Sequence, residues 1–207
     1  MKKELFSSHI YFNQIAQLSK ELVMCKEYTR AVDLFMACYA QNGTVFTMGC
    51  GGSASTATHF AADLAKTTGG GGKPGFRAIS LVDNIPLVSA WTNDRGWGSV
   101  FAGQLEQWIT PKDILVGFSV HGGTSQGDIS GPWSQNIVAA LKFAKKKKAT
   151  IIGFAGFDGG AMKKLSDTAI VIPTHSEIYG TAVVEAMHVV LQHAIIYELK
   201  EKIRKLK

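Results

Sequence analysis

The chain has 207 residues, 46% apolar and 18% charged, which is enough for one domain with a full hydrophobic core and unlike the makeup of a disordered chain. Much of its net charge of +6 sits in two places, 145-KKKK-148 and 200-KEKIRKLK-207. Such runs read as solvated helix ends that match the helix dipole, and no basic face with interleaved aromatics accompanies them, which argues against a nucleic-acid partner.

The opening stretch, MKKELFSSHIYFNQIAQ, mixes polar and apolar residues and lacks the apolar centre of a signal peptide. No uninterrupted apolar run reaches the roughly 20 residues of a membrane span. Three cysteines, Cys25, Cys38 and Cys50, form no C-x-x-C pair, as in a reducing compartment. A cytoplasmic protein with no membrane contact is expected.

Residues 4–41 repeat apolar positions at helical spacing (Ile15, Leu18, Leu22, then Ala31, Leu34, Phe35, Cys38), which predicts an arm of two helices. The arm stops at 41-QNG-43, with Gly43 as the expected breaker. Short apolar runs follow at 44-TVFTMG-49, 77-RAISLV-82, 113-DILVGFSV-120, 149-ATIIGFAG-156 and 168-TAIVIP-173. Most are nearly continuous, as in strands buried on both faces of a parallel sheet. Helices are expected near 53–67, 97–108, 133–147 and 159–166, with a long one over 181–204, and 68-TGGGGKPG-75 reads as a loop. The alternation predicts an α/β fold: a doubly wound, about five-stranded parallel sheet in one domain, with a helical arm over 1–42 and a core over 43–207. Ligands are expected at the carboxyl ends of the strands.

Gly49, Gly51 and Gly52 fall on the turn between the first strand and the first core helix, with Ser53 as the expected N-cap. Backbone N–H groups and the helix dipole favour an anion there. The dinucleotide fingerprint lacks its third glycine, and no Gly-Lys-Ser/Thr follows. A second polar turn, 119-SVHGGTSQGDISGPWSQN-136, offers the hydroxyls of Ser119, Thr124 and Ser134. Two such turns at neighbouring strand ends would enclose one phosphate, and neither uses a lysine, which favours a sugar phosphate over a nucleoside triphosphate. The plainer reading is a tight corner.

His59 and Asp63, four apart, share one helix face: a base, a metal-ligand pair, or a packed histidine. Glu185, His188, Gln192 and His193 fall within an arc of about 140°. Such groups cost free energy on an apolar helix unless paired or liganded; the alternative is a solvent-facing stripe.

Taken together, 49-GCGGSASTATHFAADL-64, 92-TND-94, 117-GFS-119, 134-SQN-136, 157-FDGG-160 and 184-VEAMHVVLQH-193 resemble the phosphoheptose isomerases, which are built on the sugar-isomerase (SIS) domain. The resemblance covers nearly the whole chain. It implies conversion of sedoheptulose 7-phosphate to D-glycero-D-manno-heptose 7-phosphate through an enediol, in a homotetramer with active sites at subunit interfaces, often with zinc. By position it implies Ser53, Ser119 and Ser134 on the phosphate, with Gly51, Gly52 and His121 in the same turns. It implies Asn93 and Asp94 on sugar hydroxyls. The metal set would be His59, Asp63, Glu185 and His193, with Asp63 and His193 as the acid/base pair and Glu185 also near substrate.

This chain departs from the family pattern at several points. Asp63 stands where the family usually has Glu, Glu185 for Gln, Cys50 for Asn, and His121 for a serine of the phosphate loop, with an insertion at roughly 123–132. These changes bear on the sugar more than on the fold. Glu185 and His193 lie about 12 Å apart along a helix axis, so Glu185 with His188 is the easier local pair, while the resemblance points to His193. Two alternatives stand beside this reading: a non-catalytic SIS protein of the replication-initiator-binding type, and an isomerase of another ketose phosphate.

Overall fold

A computed structural model describes residues 6–123, 134–174, 176 and 178–206. Five apolar runs form one parallel sheet of β1 (Thr44–Met48), β2 (Arg77–Ser80), β3 (Ile114–Ser119), β4 (Thr150–Gly156) and β5 (Thr168–Ile172). The spatial order is β2-β1-β3-β4-β5. The chain runs outward from β1 to β2, then crosses back to place β3 on the other side of β1. The topological switch lies between β1 and β3, so the crevice at their carboxyl ends is the expected ligand position. Every residue of β3 is buried, in keeping with its uninterrupted apolar run.

Helices cover both faces. Alternate strand residues, including Val45, Val116, Phe118 and Phe154, pack against α1 (Ser8–Val23), α2 (Lys26–Ala40), α3 (Gly52–Lys66) and α8 (Gly180–Arg204). The other set, including Phe46, Met48, Leu115 and Ile151, packs against α5 (Val100–Leu105), α6 (Gln135–Lys146) and α7 (Gly160–Leu165). Phe118 and Phe154 are register partners on β3 and β4 and stack with ring centroids 4.7 Å apart. At the amino ends of the strands, Asp113 accepts from the N–H groups of Thr44 and Thr110, both at 2.7 Å. Asp167 accepts from the Ile151 N–H at 2.8 Å.

The two-helix arm and the five parallel strands match the pattern read from the sequence. The stop after α2 differs. Asn42, not Gly43, takes the left-handed conformation, with φ 53°. Gly43 is needed for close approach instead, since a Cβ there would strike the Lys112 carbonyl and the Cys38 sulfur. The helix expected over 97–108 is a 3₁₀ turn at Trp97–Ser99 followed by the short α5. Helix α8 has no uninterrupted apolar run of membrane-spanning length, yet by length and average composition it is long and apolar enough to cross a membrane; half of that window is buried inside the fold. Thr124 and positions 124–132 of the insertion lie outside the described residues.

Helix α4 (Ile85–Arg95) was not foreseen. None of its residues is fully buried; Val88 and Trp91 pack half-buried against the core, and its sequence, IPLVSAWTNDR, carries no continuous apolar stripe. The overlooked signal was local: Asn84 caps the helix, its Oδ1 accepting from the Leu87 N–H at 3.1 Å, and Pro86 stands in the first turn. Asn84→Ala is expected to cost about 1 kcal/mol and lower the melting temperature by roughly 2–4 °C, while Asn84→Asp retains stability; thermal denaturation of the three proteins checks this.

Candidate active site

The turn after β1 is shaped by glycine. Gly51 has φ 60° and ψ −129°, a conformation that side chains rarely adopt, and a Cβ there would meet only open space. Gly51 itself is the N-cap of α3, and Ser53, expected in that role, lies in the first turn and is buried. The Gly51 carbonyl accepts from the N–H groups of Ala54 and Ser55. Ser119 closes β3 and is buried at the same end of the sheet. Ser134 precedes α6 in the left-handed region, φ 54°, a conformation that costs an L-residue about 1–2 kcal/mol. Asn136, the second residue of α6, donates from Nδ2 to the Cys50 sulfur at 3.2 Å, which brings the α6 start beside the glycine turn. Burial pushes the Cys50 thiol pKa up, and the Asn136 contact opposes that. His121 stacks on Phe157, ring centroids 4.7 Å apart.

The second half of the site lies in the groove between α3 and α8. His59 Nε2 is 3.2 Å and His193 Nε2 3.7 Å from the same oxygen, Asp63 Oδ2. The two imidazoles meet edge to face, centroids 4.9 Å apart. The other oxygen of Asp63 accepts from Thr67 Oγ1 at 3.0 Å. Thr67 was not among the residues singled out, although it stands four after Asp63 and therefore on its face. One donor atom from each of His59, Asp63 and His193 lies within 4.8 Å of the others, a set suited to a metal ion.

Glu185 is not in that group of three. Its carboxylate lies against Gly52, where a Cβ would collide with it, and it lines a cavity of about 340 Å³ with Gly52, Thr56, His59 and Val189. The reason is the eight-residue spacing: Glu185 faces the first turn of α3, while His193 faces the turn of Asp63. Asn93 and Asp94 stay apart from this groove. They lie exposed on α4, where Asn93 donates to Asp94 at 2.9 Å, and α4 packs on α5 and the 97–99 turn.

His188 points away from the groove, which excludes it as the partner of Glu185 and His59. It is fully buried against the sheet, with Phe118 and Phe154 edge-on at 5.7 and 6.1 Å. Burial pushes its pKa down to about 4; the Ala155 backbone lies beside it and opposes the shift, without completing a hydrogen bond. Gln192, one turn on, is equally buried, and no polar side-chain atom of either residue has a protein partner. Each such group costs about 1–3 kcal/mol if left unsatisfied.

Comparison with known proteins agrees with this architecture. The SIS domain family model matches residues 10–156. A phosphoheptose isomerase of Helicobacter pylori is 34% identical over 169 residues, covering 80% of this chain and 79% of that protein. One from Sulfurimonas denitrificans is 31% identical over 202 residues, 98% of this chain and 89% of its own. The lincomycin biosynthesis protein LmbN of Streptomyces lincolnensis is 45% identical over 153 residues; the match takes in 74% of this chain and spans about half, 54%, of that relative. Among solved structures, phosphoheptose isomerase GmhA from Neisseria gonorrhoeae superposes with a TM-score of 0.78 over 93% of this chain and 96% of its own, at 24% identity. The chain belongs to the SIS-domain family, among its phosphoheptose isomerases.

The buried His188 makes stability depend on pH with a definite sign. Above pH 6.5 it is neutral in folded and unfolded chains and contributes nothing. Between 6.5 and about 4 the unfolded chain binds a proton that the folded one refuses, so stability falls as pH falls, by about 3 kcal/mol in all, and then levels off. Denaturant titrations between pH 7 and 4, with chelator present, are expected to show this slope in the wild type and lose it in His188→Leu.

Proposed function

We propose that the protein is an aldose–ketose isomerase that converts sedoheptulose 7-phosphate to D-glycero-D-manno-heptose 7-phosphate through an enediol. The observation that carries this reading is the meeting of His59, Asp63 and His193 across α3 and α8, in a groove that begins at the glycine turn. Isomerisation moves a proton between adjacent carbons, so one group must take it from carbon while another handles the hydroxyl protons. Asp63 and His193 are that pair. Thr67 holds one oxygen of Asp63 and leaves the other facing both imidazoles.

At the other end, Gly51 opens on free space that a phosphate could take, Gly52 packs against the Glu185 carboxylate, and the start of α3 favours an anion's charge. Ser53, Ser119 and Ser134 supply hydroxyls, and His121 stands at the same strand end. Asn93 and Asp94 hold sugar hydroxyls of a site on a neighbouring copy, in a homotetramer. The exposed Phe6, Ile10 and Phe12 of the arm support self-association. Free thiols at Cys25, Cys38 and Cys50 suit the cytoplasm.

Two imidazoles and a carboxylate with converging donor atoms fit zinc, so His59, Asp63 and His193 would hold it, with Glu185 as a further carboxylate in the groove. Zinc, when bound, supplies Lewis-acid polarisation of the carbonyl and stabilisation of the enediolate.

A second reading, with another ketose phosphate as substrate, draws on His121 and Glu185 at the substrate end and on the 45% identity to a protein named for lincomycin biosynthesis. The test is turnover of sedoheptulose 7-phosphate, with and without chelator, by the wild type, Asp63→Asn and His193→Ala. Both variants are expected to lose about 10²–10⁴-fold in kcat. Loss on chelation, restored by zinc, supports the metal. Faster turnover of another ketose phosphate establishes the second reading, and no turnover of any by folded, zinc-supplemented protein overturns both.

A further inference from the structure

The sheet-facing side of α8 is aliphatic along most of its length, with Val184, Met187, Leu191 and Ile195 among its buried residues. His188 and Gln192 interrupt it, one turn apart and both completely buried. Their four polar side-chain atoms have no protein partner. Orphaned buried polar atoms in a native fold call for an enclosed partner, and an enclosed water takes about three such hydrogen bonds. The place is specific. The His188 ring stands edge-on to Phe118 and Phe154, beside the backbone of Ala155, which is the register partner of Ser119.

Aliphatic packing is non-directional and resists small rotations of a helix only weakly, whereas a hydrogen-bonded bridge has one preferred geometry. Rotation matters here because Gln192 precedes His193. A side-chain tip about 5–6 Å from a helix axis moves about 1 Å for a rotation of about 10°. A displacement of that size at a reacting group costs about 10²-fold in rate.

We propose that His188 and Gln192 enclose an ordered water between α8 and the end of β4, and that this bridge positions His193 against Asp63. The enclosed water stands independently of the function proposed above; the effect on turnover rests on it.

The test compares wild type with the full-length double variant His188→Phe/Gln192→Leu and with the conservative His188→Gln. A high-resolution crystal structure of the wild type is expected to show water bonded to both side chains. The double variant removes the orphan groups together, so its melting temperature at neutral pH is expected to match or exceed that of wild type. Its kcat is expected to fall about 10–100-fold with little change in KM, and its zinc dissociation constant, read by chelator competition, to rise about tenfold. His188→Gln is expected to recover most of both. A dry contact between His188 and Gln192 overturns the proposal, as does a double variant with wild-type kcat and zinc affinity. Should the wild type show no turnover, the isomerase reading falls, and the crystallographic water with the zinc competition still decides this one. Should the double variant fail to fold, the crystal structure and His188→Gln decide it.

Discussion

Two helices that leave the same edge of a parallel sheet must return in the same direction, and this sets which residues face each other across their contact. Helix α3 follows β1 and α8 follows β5, so both run antiparallel to the strands and parallel to one another. Residues then meet in the same order down the groove: Gly52 with Glu185 at the mouth, and Asp63 with His193 about three turns further along α3 and about two along α8. No loop is needed to bring the two imidazoles and the carboxylate together. They are held by rigid elements whose buried faces, with Phe60 and Leu64 on one and Val184 and Leu191 on the other, belong to one core.

The groove has a charge gradient. Its upper end is the start of α3, electropositive through the helix dipole and lined by Gly51, Gly52 and the hydroxyls of the turn. Its lower end holds Asp63 between His59 and His193. Glu185 sits at the border, its carboxylate against the first turn of α3. A negative group there competes with an incoming phosphate for the same dipole, and its charge is felt by any cation held lower down. A glutamine of the same length would pack alike without the charge.

How much of this was legible in the sequence depends on what each feature rests on. The central strands were readable because double-sided burial leaves uninterrupted apolar runs such as ILVGF in β3, while β2, largely exposed, and β5, alternately buried, were read as shorter apolar runs in the same alternation. Helix α4 was not readable, because none of its residues is fully buried and its cap and proline are its clearest signals. The pairing of His59 with Asp63 follows from helical spacing alone. Which of Glu185, His188 and His193 would join them did not, because all fall within one arc, and only the position of the sheet shows that His188 faces inward while His193 faces α3. Thr67, four after Asp63, was open to the same spacing argument, whereas the role of Gly43 as a close-approach residue depends on a contact with another loop that spacing does not encode. Asn93 and Asp94 were picked out by resemblance, and a single chain leaves them on its surface.

The carboxylates of Asp113 and Asp167 tie strand ends to neighbouring backbone at the floor of the sheet, far from the glycine turn and Ser119. Anchorage and chemistry thus occupy opposite ends of the same five strands. Cys50 and His121 stand at the carboxyl ends, so a change at either leaves the contacts of Asp113 and Asp167 untouched. The turns at the carboxyl ends are therefore free to vary while the floor of the sheet stays fixed.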